Sequence, residues 1–169
     1  DEKVRVICHY MGGNFGNKNQ NQDTDLITAI LAKEAGAPVK LEFSRKEDFI
    51  GMHGRWPTVQ YYKVGVKNDG TLTAIQLKTI SNMGPYRKNN GGVAGIELYD
   101  CEHTESTLYP MYTNRTTSAN FRGPTDPQGY YPIQSLMDDI AYAVKMDPVD
   151  FILKNMVKDG PRARFTNYT

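Results

Sequence analysis

Two β-prone runs, Val59-Gln60-Tyr61-Tyr62-Lys63-Val64-Gly65-Val66-Lys67 and Thr71-Leu72-Thr73-Ala74-Ile75-Gln76-Leu77-Lys78-Thr79-Ile80, are joined by Asn68-Asp69-Gly70. Asp-Gly between two such runs is a strong hairpin signal, because glycine supplies the backbone angles a tight turn requires. The hairpin stands at the centre of the chain. Upstream, Val4 to Cys8 reads as a short strand ending in the glycine-rich turn Met11-Gly12-Gly13-Asn14-Phe15-Gly16-Asn17. Leu26, Ile27, Ile30 and Leu31 then recur at helical spacing over Asp23–Ala35, with Asp23 able to cap and Gly36 suited to the stop. Pro38 to Phe43 alternates as a strand does. Downstream, Thr104 to Thr113 is a further β-prone run, after an irregular stretch from Gly84 to Gly95. The last third is helical. Ile133, Leu136, Met137, Ile140 and Val144 make one apolar stripe. Asp147-Pro148 offers a cap and a first-turn proline for a second helix carrying Val149, Ile152, Leu153 and Met156. Helices and a hairpin without regular βαβ alternation define an α+β fold of mixed β-strands.

The chain has 169 residues, enough for one domain with a core of its own. Lys plus Arg total 20 and Asp plus Glu 19, a net charge of +1. Such a balance argues against an electrostatic grip on nucleic acid or on an anionic membrane. No run approaches a membrane span. Cys8 and Cys101 are too few for a disulfide scaffold or a four-cysteine metal site, and each reads as a small buried or half-buried filler. No signal peptide is visible, which points to the cytoplasm, so the sequons at Asn114 and Asn167 read as chance. The start at Asp1 and the polar stretch after Lys158 look like cut edges. The expected organisation is a domain over residues 1–160 and a tail or severed linker over 161–169.

Two segments hold candidate chemistry. Gly12-Gly13-Asn14-Phe15-Gly16-Asn17-Lys18 fits neither the phosphate loop nor the dinucleotide fingerprint. Its glycines let a backbone approach a ligand and aim N–H groups at it; a tight strand-to-helix connection without a ligand is the alternative. Asn120-Phe121-Arg122-Gly123-Pro124-Thr125-Asp126-Pro127-Gln128-Gly129 precedes a helix, so its amides and Arg122 could gather at an anion. Gly123 and Gly129 would allow unusual backbone angles there, and a polar loop with Arg122 solvated is the alternative. His9, His53 and His103 lack metal-ligand spacing. His53 reads as a structural loop residue, and Asp138 and Asp139, facing different ways on a helix, as solvated or capping groups.

Taken in order, MGGNFGNK at Met11–Lys18, SRKEDF at Ser44–Phe49 followed by HGRWP, NFRGPTDPQG from Asn120 and the closing pair of helices resemble the molybdenum-cofactor-binding large subunit of the xanthine dehydrogenase and aldehyde oxidase family. The resemblance covers roughly residues 4 to 160 and identifies the chain as a fragment of such a subunit. It implies that Gly12, Gly13, Phe15 and Gly16 form a turn beside a molybdenum–pyranopterin cofactor, with Arg122 and Gly123 on the other wall and no direct protein ligand to the metal. Preorganised donors around an anionic cofactor are the physical basis of such a site. The implied reaction is oxidative hydroxylation with water as the oxygen source. Electrons would leave through iron–sulfur clusters, with FAD a further possible group, on partner subunits or domains.

The departures from the family pattern are specific. Asn14 stands where a third glycine is usual. Asn19 replaces the glutamate that holds a purine, and Pro124 replaces the aromatic that stacks on substrate, so these two are the substrate-pocket candidates. Asn90 falls where xanthine enzymes have an arginine, with Arg87 close by. Gly123 occupies the place of the copper-holding cysteine of carbon monoxide dehydrogenases. Xanthine and carbon monoxide are therefore disfavoured as substrates. The family's base glutamate, in a Gly-Glu-Pro context, has no counterpart in the chain, so no catalytic residue is assigned. The expectation is one wall of a cofactor site, inactive alone, with the remaining molybdenum-domain segments and an iron–sulfur subunit as partners. The alternative is a non-catalytic scaffold or assembly module that keeps the fold.

Overall fold

The computed structural model describes residues 3–19, 23–86 and 92–158. Its centre is a three-stranded sheet in the order β1-β2-β3, with β1 at Thr58–Val66, β2 at Leu72–Gly84 and β3 at His103–Tyr112. β1 and β2 form the expected antiparallel hairpin, with Tyr62 opposite Leu77 and a register shift at Gly65/Val66. Its turn closes as the motif requires. Gly70 adopts φ +81°, and the Asp69 carboxylate accepts the Thr71 N–H at 3.0 Å. That bond is the main reason the Asp69 carboxyl titrates below its ordinary range. β3 runs parallel to β2, so the sheet is mixed. This pairing is not readable from the β-prone run itself, because period-two alternation is the same in either direction.

The inward face of β2 is continuous. Ile75, Leu77, Thr79, Ser81 and Met83 alternate into the interior. Two helices lie against the core, α3 at Asp126–Ala143 and α4 at Pro148–Asn155. Ile133, Met137 and Ala141, spaced four apart on α3, are fully buried with Leu72, Ile75, Tyr99, Cys101 and Phe151. Burying one such large side chain stabilises by about 1.5–3 kcal/mol. Asp147 caps α4 as expected, accepting the N–H groups of Val149 and Asp150. The buried face of α4 differs from the predicted stripe. Val149, Leu153 and Met156 are exposed, whereas Phe151 and Asn155 point inward.

Asn155 is the polar exception in this core. Its carboxamide oxygen accepts Leu72 N–H at 3.0 Å, and its nitrogen donates to Gly70 O at 2.8 Å and Phe151 O at 2.9 Å. Every bond joins α4 to the hairpin turn or to itself, so a buried amide is fully used.

Several expectations need correction. Val4 to Cys8 is not a strand: it is exposed, Val6 at 91%, and no described segment pairs with it. Pro38 to Phe43 is likewise irregular. A β-prone run becomes a strand only when another backbone satisfies its N–H and C=O groups. Helix α1 does span Asp23–Ala35 and stops at Gly36, φ +59°, but none of its residues is buried; the residues just before Asp23 lie outside the described set. A helix α2 at Arg45–Gly51 begins with a capping box, in which Glu47 N–H donates to the Ser44 hydroxyl and Ser44 N–H to the Glu47 carboxylate at 2.7 Å. Cys8 is exposed rather than buried, while Cys101 is buried. Gly129 is helical and serves close packing, not an unusual backbone angle: a Cβ there would sit 1.9 Å from Ala94 O. Asp138 and Asp139 are exposed, as expected. Arg87, Asn90, the boundary at 160 and the tail at 161–169 lie outside the described residues.

Two half-buried phenols set an alkaline limit on the fold. Burial, and secondarily the charge of Glu97, pushes Tyr62 up to about 12; burial, then Asp138, does the same for Tyr99. The unfolded chain ionises its tyrosines near pH ~10. Between that value and about 12 the folded protein therefore binds more protons than the unfolded chain, and stability falls as pH rises. Urea midpoints are expected to decline from pH ~10 upward, and Tyr62→Phe to flatten the decline. An unchanged slope in Tyr62→Phe would remove Tyr62 from the account.

Candidate cofactor-binding wall

The glycine-rich turn folds around its own asparagine. Asn14 Oδ1 accepts Gly16 N–H at 2.9 Å and Lys18 N–H at 3.2 Å, Asn17 N–H donates to Asn14 O at 3.0 Å, and Lys18 Nζ donates to Gly13 O at 2.7 Å. Positive φ values at Gly13 (+115°), Phe15 (+51°) and Gly16 (+92°) turn successive peptides. Each glycine has a separate reason. A Cβ on Gly13 would strike the Phe15 ring at 2.4 Å, and one on Gly16 the Asn120–Phe121 backbone at 2.9 Å. Gly12 faces open space.

The second candidate segment lies directly against the first. Arg122 N–H donates to Phe15 O at 2.6 Å, and the Arg122 guanidinium lies 5.9 Å from the centre of the Phe15 ring. Gly123 has φ +65°, and Thr125, just before α3, has φ +77°. A non-glycine residue with positive φ costs about 1–3 kcal/mol and persists only where its surroundings over-determine it. Among the described residues three non-glycines do this, and two of them, Phe15 and Thr125, are here.

The structure thus brings Gly13, Phe15, Gly16, Arg122 and Gly123 into one wall, with Gly12 at its open face. Asn19 is exposed beside the turn and accepts the Asn14 amide N–H at 2.6 Å. Pro124 is exposed next to Gly123. A cleft of about 560 Å³ runs from Phe15 and Phe121 to Phe49, Met52 and His53. His9, His53 and His103 join no metal-binding cluster among the described residues.

Sequence reasoning missed Arg55. Its Nη1 donates to Gly123 O at 2.7 Å and to Gln128 Oε1 at 2.6 Å, its Nη2 donates to Arg122 O, and its guanidinium lies 5.3 Å over the Phe121 ring. The arginine in HGRWP was visible, but not its distant partners. Lys18, Arg55 and Arg122 make no ion pair among the described residues. Two cations against the glycine turn, Lys18 and Arg122, with one open face suit an anionic group: charge is present, and backbone donors can be approached closely.

The fold that carries these segments is that of a molybdopterin cofactor-binding domain. The model of that family matches residues 1–156, and the chain belongs to the family. Over 164 residues the chain is 33% identical to the putative xanthine dehydrogenase molybdenum-binding subunit XdhA of Escherichia coli K12, covering 93% of this chain and 22% of that protein. It is 30% identical over 170 residues to the abscisic-aldehyde oxidase of Arabidopsis thaliana, covering 91% of this chain and 12% of that one. Among solved structures, the aldehyde oxidoreductase of Desulfovibrio gigas superposes with a TM-score of 0.81 at 29% identity, over 89% of this chain and 17% of its own. The chain spans roughly a fifth or less of the length of these relatives. Among the described residues no helix is long and apolar enough to cross a membrane.

Proposed function

We propose that this chain supplies one wall of the molybdopterin site of a molybdenum hydroxylase, a xanthine dehydrogenase- or aldehyde oxidase-like oxidoreductase. Residues 1–160 are the cofactor-binding portion and 161–169 a polar tail or linker. The observation that carries the reading is the joint between the two candidate segments, Arg122 N–H on Phe15 O with Gly16 pressed on Asn120.

In this reading Gly12, Gly13, Phe15 and Gly16 face the cofactor from the turn, and Arg122 and Gly123 from the opposite segment. Arg122 supplies positive charge, and the glycines supply close backbone approach. Asn14 engages the Gly16 and Lys18 amides, so the shape of the turn is held by its own side chain and needs no cofactor to form. When bound, the cofactor supplies two-electron oxidation of a substrate carbon with water as the oxygen source. Asn19 and Pro124 lie on the substrate side, and neither offers the carboxylate or the aromatic ring that a purine would use. The general base, the rest of the molybdenum domain, the iron–sulfur clusters and FAD belong to partner segments or subunits. Cytoplasmic residence fits two cysteines that form no disulfide.

The purified chain alone is expected to hold no stoichiometric molybdenum. The positive test is a chimera in which this chain replaces the matching segment of the Escherichia coli XdhA subunit. Molybdenum near one per chimera, lost on Gly16→Ala, is the expected result by elemental analysis. A folded chimera without metal would favour a non-catalytic scaffold.

A further inference from the structure

Arg55 lies outside the two segments that form the wall, yet it holds one of them in shape. The residues around it are fixed. Gly54 bridges to Ser118, Ala119 N–H donates to Gly54 O at 3.0 Å, and the buried Trp56 donates its indole N–H to Gly92 O at 3.1 Å. Gln128 is held from its other end, where the Gln60 amide donates to Gln128 O at 2.6 Å. Between these supports the guanidinium fork reaches Arg122 O, Gly123 O and the Gln128 side chain. A planar fork of donors matches this set; a single ammonium would not.

Peptide geometry converts those bonds into a direction. The described peptides contain no cis bond. In a trans peptide the N–H points opposite the C=O. Pinning Arg122 O therefore fixes where the Gly123 N–H points, away from the guanidinium. The next carbonyl, Gly123 O, belongs to the bond to Pro124, which has no N–H. The arrangement aims a single backbone donor, and it does so in a stretch where Gly123 and Thr125 both have positive φ.

We propose that Arg55 is a positioning residue for the cofactor wall: its fork orients the Gly123 N–H and locks the Arg122–Phe15 joint without itself touching the cofactor. The proposal rests on the cofactor-wall reading. Its test is made on the whole chain without cofactor, so the result does not depend on whether the chimera loads metal. Amide hydrogen exchange is followed by NMR in wild type, Arg55→Ala and Arg55→Lys. In Arg55→Ala the Arg122 amide, which donates to Phe15 O, is expected to exchange at least about tenfold faster, while Ile75 and Leu77 in β2 stay within about twofold. Methylguanidinium is expected to restore protection and methylammonium is not. Arg55→Lys, which keeps the stem and charge, should behave like Arg55→Ala, and it carries the comparison if the alanine variant does not fold. Unchanged exchange at Arg122 would overturn the proposal. So would an equal loss across β2, which would make Arg55 a general fold residue. Restoration by methylammonium or by lysine would also overturn it, because charge alone would then suffice.

Discussion

Gly129→Ala is expected to cost about 3 kcal/mol or more, or to prevent folding altogether. The added Cβ would lie 1.9 Å from Ala94 O and 2.7 Å from Ala94 N. Both are backbone atoms, so no rotamer change relieves the clash. Either α3 or the 92–95 segment must move. Gly95 packs on Ile133, so the core moves with them: a Cβ on Gly95 would already reach Ile133 Cγ2 at 2.9 Å. For a chain of this size the cost corresponds to a melting temperature lowered by roughly 6–12 °C. Calorimetry reads it directly. A melting temperature within about 2 °C of wild type would show that α3 does not pack on Ala94 as described.

Asn155→Ala is expected to rank beside it, at about 3 kcal/mol, for a different reason. Truncation leaves Leu72 N–H and Gly70 O buried without partners, and each unsatisfied group costs about 1–3 kcal/mol. Asn155→Asp should not rescue. A carboxylate can accept from Leu72 N–H, but it then faces the carbonyls of Gly70 and Phe151 with nothing to donate. Urea unfolding of both variants checks the claim. A stable Asn155→Asp would mean that the two donated bonds contribute little.

What was legible in the sequence was local. The Asp69-Gly70 hairpin, the Asp147-Pro148 helix start and the α3 stripe depend on residues a few places apart, and each formed as expected. The Ser44-x-x-Glu47 box was equally local and would have revealed α2. Val4–Cys8 and Pro38–Phe43 failed because a strand needs a partner, and a propensity pattern carries no information about whether one lies alongside. Asn155 was not singled out; its role depends on Gly70 and Leu72, more than eighty residues away. In the site, the glycine-rich turn and the Asn120–Gly129 segment were both legible as motifs, and the structure sets them side by side. Arg55 escaped because nothing around it in sequence predicts three acceptors 67, 68 and 73 residues further on.

That separation bears on when the wall comes into being. Hairpin closure joins neighbours and is fast. The Arg55 bridges must close long loops, whose entropy cost rises with length. The bridge to Gln128 closes only once α3 has docked, because Gln128 belongs to that helix. The wall is thus a late product of folding. A cofactor that uses it would meet a surface assembled from distant parts of the chain, at positions 15, 55 and 122 to 128.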